Sequence, residues 1–254
     1  MEKSDSAIWQ AIEKKVSPGL IGGTLHRLVE SQEQVATARL VDGDLDKQAL
    51  LEELLEPSKP PRVKGTEHLD YLLATPWRYP PLKYGSRFGQ RYETSLFYGG
   101  LSEQTTLAEG GFYRWVFLLD MDESPSKLRS QHTMYNAQYR TEKGLRLNSP
   151  PFVEFDSELT HKSRYQDSQA LGSAMRTAGI EAFEYASARD PAGGSNVALI
   201  EPVALISTSA KKQRAWLCTT SQQEVLFSYR GSPSVVKRFH IDDFMLDGRL
   251  PRPA

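Results

Sequence analysis

Helix-spaced and strand-length apolar runs lie side by side in this chain without settling into a regular alternation, and that mixture restricts the fold more than any single motif. Leu171, Ala174, Met175 and Ala178 recur at i, i+3, i+4 and i+7, a helical period that Gly179 stops. Ser163 and Gln166 read as a capping-box pair at the start of that helix. Residues 180–186, 196–200, 215–218 and 224–229 then follow as strand candidates, and Thr133, Tyr135, Ala137 and Tyr139 alternate as a half-buried strand does. The βαβα order of a doubly wound sheet is absent, so the expected class is α+β.

The front of the chain predicts helices. Gly22-Gly23-Thr24 reads as a stop and an N-cap, after which Leu25, Leu28, Val29, Val35, Ala36 and Leu40 keep helical spacing. Gly43-Asp44 restarts the pattern through Leu45, Ala49, Leu51, Leu54 and Leu55, and Pro57, Pro60 and Pro61 form a stiff connector. A third short helix is expected from Thr66, with Leu69, Leu72 and Leu73 on one face. The prolines of Thr75-Pro-Trp-Arg-Tyr-Pro-Pro predict extended backbone. Ser95-Leu-Phe-Tyr-Gly-Gly reads as a short buried strand, and Ser102 or Thr105 caps a helix running past Glu109 to Trp115 and Leu119. The expected organisation is a helical extension over 1–60 packed on a core domain over 61–254.

Composition narrows the function classes. With 31 Lys+Arg against 32 Asp+Glu the formal charge is −1, and the basic residues are interleaved with acids. A nucleic-acid binder draws on a local excess of Lys and Arg to displace counterions, so direct nucleic-acid binding is not expected. The hydrophobic fraction of 39% supports a real core, yet no apolar run approaches the ~20 residues that cross a bilayer. Cys218 stands alone and cannot form an internal disulfide or a thiolate zinc site. Met-Glu-Lys-Ser-Asp-Ser lacks the apolar segment of a signal peptide, so a cytoplasmic location is expected. Phosphate-loop, dinucleotide-fingerprint, HExxH and nucleophile-elbow motifs are missing, and the five histidines show no metal-ligand spacing, so no metal is expected.

A handful of polar residues remain, each with an ordinary explanation beside the functional one. Arg87, between Ser86 and Phe88 in a glycine-bounded loop, has the planar fork that grips phosphate oxygens, but it also reads as a solvated loop arginine. Tyr98 ends an apolar strand and offers a stacking ring, or is simply a core tyrosine. Glu109 follows Leu107-Ala108 in an apolar helix, where a carboxylate needs a partner or a task unless it faces solvent. Ser187 and Asn196 flank a turn-rich connection and suit turn hydrogen bonds equally well.

Taken in order, the segments Gly85-Ser-Arg87-Phe, Leu96-Phe-Tyr98-Gly, Thr106-Leu-Ala-Glu109, Tyr165-Gln-x-Ser-Gln-x-Leu-Gly172, Tyr185-Ala-Ser187-Ala-Arg-Asp-Pro and Gly194-Ser-Asn196-Val-Ala-Leu resemble the RES domain. The similarity is strongest over 75–202 and departs after Arg87, where Gly89-Gln-Arg-Tyr-Glu-Thr replaces the Asn-Pro-x-Gly turn of short members. The resemblance implies an ADP-ribosyltransferase-like fold of small mixed or antiparallel sheets with helices. It also implies a bacterial toxin that cleaves the nicotinamide–ribose bond of NAD⁺, with water or inorganic phosphate as acceptor, or that passes ADP-ribose to a protein. NAD⁺ is then a consumed substrate and no other cofactor is implied. The implied partner is an antitoxin with a helix-turn-helix domain, through which the toxin can oligomerise; a non-catalytic partner-binding module is the alternative of another class. On this resemblance Glu109 would stabilise charge on the ribose or orient the acceptor, and Arg87 would hold the pyrophosphate or the adjacent ribose edge. Tyr98 would stack the nicotinamide, and Ser187 would bond the ribose or anchor Glu109. Arg78, Ser86 and Asn196 are added as substrate-binding candidates.

Overall fold

The structure, a computed structural model, describes residues 6–31, 44–232 and 234–252. Eight strands are linked in one mixed sheet: β1 (Gly19–Glu30), β2 (Phe97–Gly100), β3 (Lys127–Arg146), β4 (Ala182–Ala186), β5 (Ser195–Leu199), β6 (Lys211–Ser221), β7 (Glu224–Tyr229) and β8 (Val236–His240). Their order is β1-β2-β5-β4-β3-β6-β7-β8, and β1 pairs with β3 as well as β2. That second pairing closes β1, β2, β5, β4 and β3 into a ring, from which β6, β7 and β8 extend. Only β3 and β4 run parallel; the other pairs are antiparallel. The α+β expectation holds.

Helices α1 (Ala7–Ile12), α2 (Leu45–Leu55), α3 (Tyr71–Arg78), α4 (Glu103–Leu119), α5 (Asp156–Leu159) and α6 (Gln166–Thr177) accompany the sheet. Apolar side chains collect in three clusters. One joins α6 to β4 through Phe88, Leu171, Met175, Phe183 and Tyr185; a second fills the ring around Leu25, Trp77, Phe97, Tyr135 and Val197. The third packs α4 on β6, β7 and β8 through Phe112, Trp115, Trp216, Phe227 and Phe239. No helix among the described residues is long and apolar enough to cross a membrane.

The front of the chain departs from the helical layer expected over 1–60. Gly19–Glu30 is a strand whose Leu25 and Leu28 lie opposite Ala137 and Met134 of β3. Ile21 and Leu25 are buried, and a spacing of four satisfies a period of 2 as well as a period of 3.6. What decides for the strand is a partner more than a hundred residues downstream, which local spacing does not reveal. Val35, Ala36 and Leu40 lie outside the described residues, whereas Leu45–Leu55 is helical as expected.

The segment around Pro76 is a second correction: the third helix, expected from Thr66, starts at Tyr71 and runs on to Arg78, taking in Thr75-Pro-Trp-Arg where extended backbone is expected. Asp70 caps it, its side chain accepting from the Leu73 N–H at 3.0 Å. Pro76 cannot donate to the Leu72 carbonyl one turn back, and the Tyr135 hydroxyl donates to that carbonyl instead at 3.1 Å. Ser163 proves not to cap α6, since Tyr165 holds the N-cap position without a side-chain bond and the Ser163 N–H donates to His161 Nδ1.

Candidate functional site

Ser102 starts α4, its hydroxyl accepting from the Thr105 N–H at 3.0 Å, and two turns later the helix carries Glu109 to the ends of β4 and β5. There the Ser187 hydroxyl and the Asn196 amide both donate to Glu109 Oε1, at 2.6 and 2.8 Å. Oε2 takes no bond among the described residues, and no cation pairs with the carboxylate. The negative charge is therefore positioned by neutral donors and left uncancelled.

Ser187 is itself held. The backbone N–H groups of Arg189 and Asp190 donate to its Oγ at 3.1 and 3.0 Å, and its own N–H donates to the Gly194 carbonyl at 2.8 Å. Asp190 ties this turn to α4 by accepting from the Thr105 hydroxyl at 2.9 Å. Gly194 is packed so closely that a Cβ there would lie 2.0 Å from Thr105 Oγ1. The turn between β4 and β5 is thus fixed to the helix that presents Glu109.

Arg87 is positioned from the other side by α6. Ser168 donates to the Arg87 carbonyl at 2.5 Å, and the Gln169 amide reaches the Tyr84 and Ser86 carbonyls, each at 2.9 Å. A Cβ on Gly172 would meet the Phe88 carbonyl oxygen at 1.8 Å, so the loop lies directly on the helix. These contacts give the 165–172 motif its purpose, which is to hold the arginine loop. The Arg87 guanidinium sits 4.7 Å from the Tyr165 ring centre, and its Nη1 donates to the carbonyls of Leu159 and His161 at 3.3 and 3.0 Å.

Tyr98 supports the same loop. Its hydroxyl accepts from the Phe88 N–H at 3.1 Å and shares a bond with Ser86 Oγ at 2.9 Å. Burial pushes that hydroxyl up to about 12, so it stays protonated at neutral pH. Arg27 of β1 donates to the Tyr98 carbonyl at 2.7 Å, which makes the N-terminal strand part of the site's support.

Glu109 and Arg87 both act on Tyr185. Burial is the largest cause of this hydroxyl being pushed far above the ordinary phenol value; the Glu109 charge adds to the shift and the Arg87 charge opposes it. The carboxylate and the guanidinium, brought by different elements, thus share one buried tyrosine as neighbour. The sequence-expected Arg87, Tyr98, Glu109, Ser187 and Asn196 come together, with Ser86 on the Tyr98 hydroxyl. Arg78 does not join them. It is buried elsewhere, donating from Nε to the Pro60 carbonyl at 2.6 Å and pairing with Glu56 at 2.8 Å, so it braces the proline connector against α3.

The site also uses residues to which the sequence assigns no role: Tyr165, Ser168, Gln169, Tyr185 and Arg189. All five lie inside the ordered motifs, and that was their only signal. Two recesses of about 460 and 490 Å³ open elsewhere, beside Gly22, Tyr139 and Arg146 and beside Arg27, Tyr71 and Arg230; neither is lined by Arg87 or Glu109. No three His, Cys, Asp or Glu side chains among the described residues are grouped so as to hold a metal ion.

Fold and site together define an α+β domain with an anchored carboxylate and a buried loop guanidinium carried on separate elements. Within that class the chain belongs to the RES domain family, whose sequence model matches residues 59–220, more than half of the chain. β1, β7 and β8 lie outside the matched span although they belong to the same sheet. No curated protein compared with the chain matches it significantly.

Proposed function

We propose that this protein consumes NAD⁺ by breaking the bond between nicotinamide and ribose, and that it acts as the toxin of a bacterial toxin–antitoxin pair. The observation that carries the catalytic reading is the Glu109 carboxylate, fixed through one oxygen by Ser187 and Asn196 and left without a cation. When the N-glycosidic bond breaks, its electron pair passes to the pyridinium nitrogen and nicotinamide leaves neutral. Positive charge then appears on the ribose. A preorganised carboxylate beside that carbon stabilises the charge only as it develops, which lowers the barrier more than it tightens ground-state binding. The acceptor forms the new bond to the same carbon with Glu109 placed to orient it: water releases its proton to solvent as it adds, whereas inorganic phosphate adds through an oxygen that is already anionic. Arg87 holds the phosphate end of the substrate and so fixes the reacting carbon.

Family membership supports the toxin role, and the partner we infer with that role is an antitoxin bearing a helix-turn-helix domain. Incubating the protein with NAD⁺ labelled in the adenosine half tests the chemistry. Nicotinamide should appear with the label confined to small molecules, as ADP-ribose or its phosphorylated form. Label on a protein band would assign ADP-ribosyl transfer instead, and no nicotinamide at all would refute cleavage.

A further inference from the structure

Arg189 is 2% exposed, and its Nη1 is buried without any hydrogen-bond partner. A guanidinium does not give up its proton inside a protein, so the charge stays and needs compensation. It finds little. Nη2 donates to the Tyr165 hydroxyl at 3.2 Å and to the Lys162 carbonyl, and the guanidinium lies 3.5 Å from the Phe112 ring centre. Phe112 is three residues beyond Glu109 on α4, so Arg189 rests against the helix turn that carries the carboxylate.

Arg87 is in the same condition on the same tyrosine. One guanidinium stacks on the Tyr165 ring and the other bonds its hydroxyl, and neither is paired with a carboxylate among the described residues. Besides Tyr165, one short segment serves both cations, with the Leu159 and His161 carbonyls on Arg87 and the Lys162 carbonyl on Arg189. Carbonyl dipoles are the partners a cation takes when an anion is not there. Lys162 feels the surplus, its ammonium pulled down by burial first and by Arg189 next.

We propose that Arg189 is the second anion-binding residue of this site, forming with Arg87 a two-guanidinium seat for a pyrophosphate group, with the 159–162 carbonyls holding its place until that group arrives. This rests on the reading of the substrate as a dinucleotide, whose paired phosphates carry the two charges the seat lacks. Binding then exchanges carbonyl dipoles for charged oxygens, and the segment is released from both arginines as the substrate enters.

Inorganic pyrophosphate is the probe, titrated calorimetrically into the full-length protein at constant ionic strength. The wild type should bind it saturably. Arg189→Lys, which keeps the charge and loses the fork, should bind at least about tenfold more weakly, while Arg129→Gln, an exposed arginine of β3, binds as the wild type does. Equal binding by Arg189→Lys, or none by the wild type, overturns the proposal. Should Arg189→Lys fail to fold, hydrogen exchange on the wild type decides. Pyrophosphate should change the exchange of amides 160–164 severalfold, and unchanged exchange there refutes the seat. Nicotinamide release is measured on the same samples, so pyrophosphate binding without NAD⁺ cleavage keeps the seat and discards the cleavage reading.

Discussion

A carboxylate held by neutral donors keeps its full field at the point where it is aimed, whereas one held by Lys or Arg spends most of that field on its partner. Ser187 and Asn196 give Glu109 the first arrangement. Asn196→Ala removes one of the two anchors and is expected to lower kcat by about ten- to a hundredfold, the size of one lost hydrogen bond to a charged group. Steady-state kinetics with NAD⁺ would show it, with KM little changed because the pyrophosphate grip is untouched. Asn196→Ala with unaltered kcat would mean that the anchor does not matter. Away from the site, His132 is buried on β3 and its imidazole is pushed down to about 4, by burial first and the Arg114 charge next. The unfolded chain takes up this proton near 6.5 and the folded chain only near 4, so between those values the unfolded state binds more protons and stability falls as pH falls. The loss should reach about 2–3 kcal/mol, read from urea unfolding at a series of pH values, and His132→Gln should flatten that slope.

Two elements carry more of the architecture than their local sequence announces. β1 closes the five-stranded ring and supplies Arg27 to the Tyr98 carbonyl, so it behaves as core. Leu25, fully buried on it, should cost ~2–5 kcal/mol when changed to alanine, measured by denaturant unfolding; a cost under ~0.5 kcal/mol would fit a peripheral extension and contradict the ring. α6 bears on the arginine loop through Ser168, Gln169 and Gly172. Gly172→Ala should push the loop off the helix, destabilising by about 1–3 kcal/mol and raising KM for NAD⁺ as Arg87 moves. Helix periods were legible here: α2, α4 and α6 fall close to where apolar spacing puts them. β1 and the Pro76 turn were not, because a remote strand pairs with the first and a remote tyrosine hydroxyl completes the second.

Over the whole molecule, the site exists only once the chain has folded. Glu109 and Ser187 are 78 residues apart, Glu109 and Asn196 are 87, and Arg87 reaches carbonyls more than 70 residues away. No spacing rule joins such residues, which is why each looks ordinary alone and why their order along the chain, set against a family pattern, was what gathered them. Arg78 shows the limit of that signal: a second arginine close in sequence to the first is spent on an ion pair with Glu56. Arg189 shows the converse, since a turn residue in sequence becomes a buried cation in the fold. The most direct test of the carboxylate's role is the single-turnover rate of nicotinamide release by Glu109→Gln, which keeps both anchors' reach and removes only the charge. A loss of at least about a hundredfold with an unchanged thermal midpoint is expected. Release at the wild-type rate would contradict it, and the anchored carboxylate would then have no part in the chemistry.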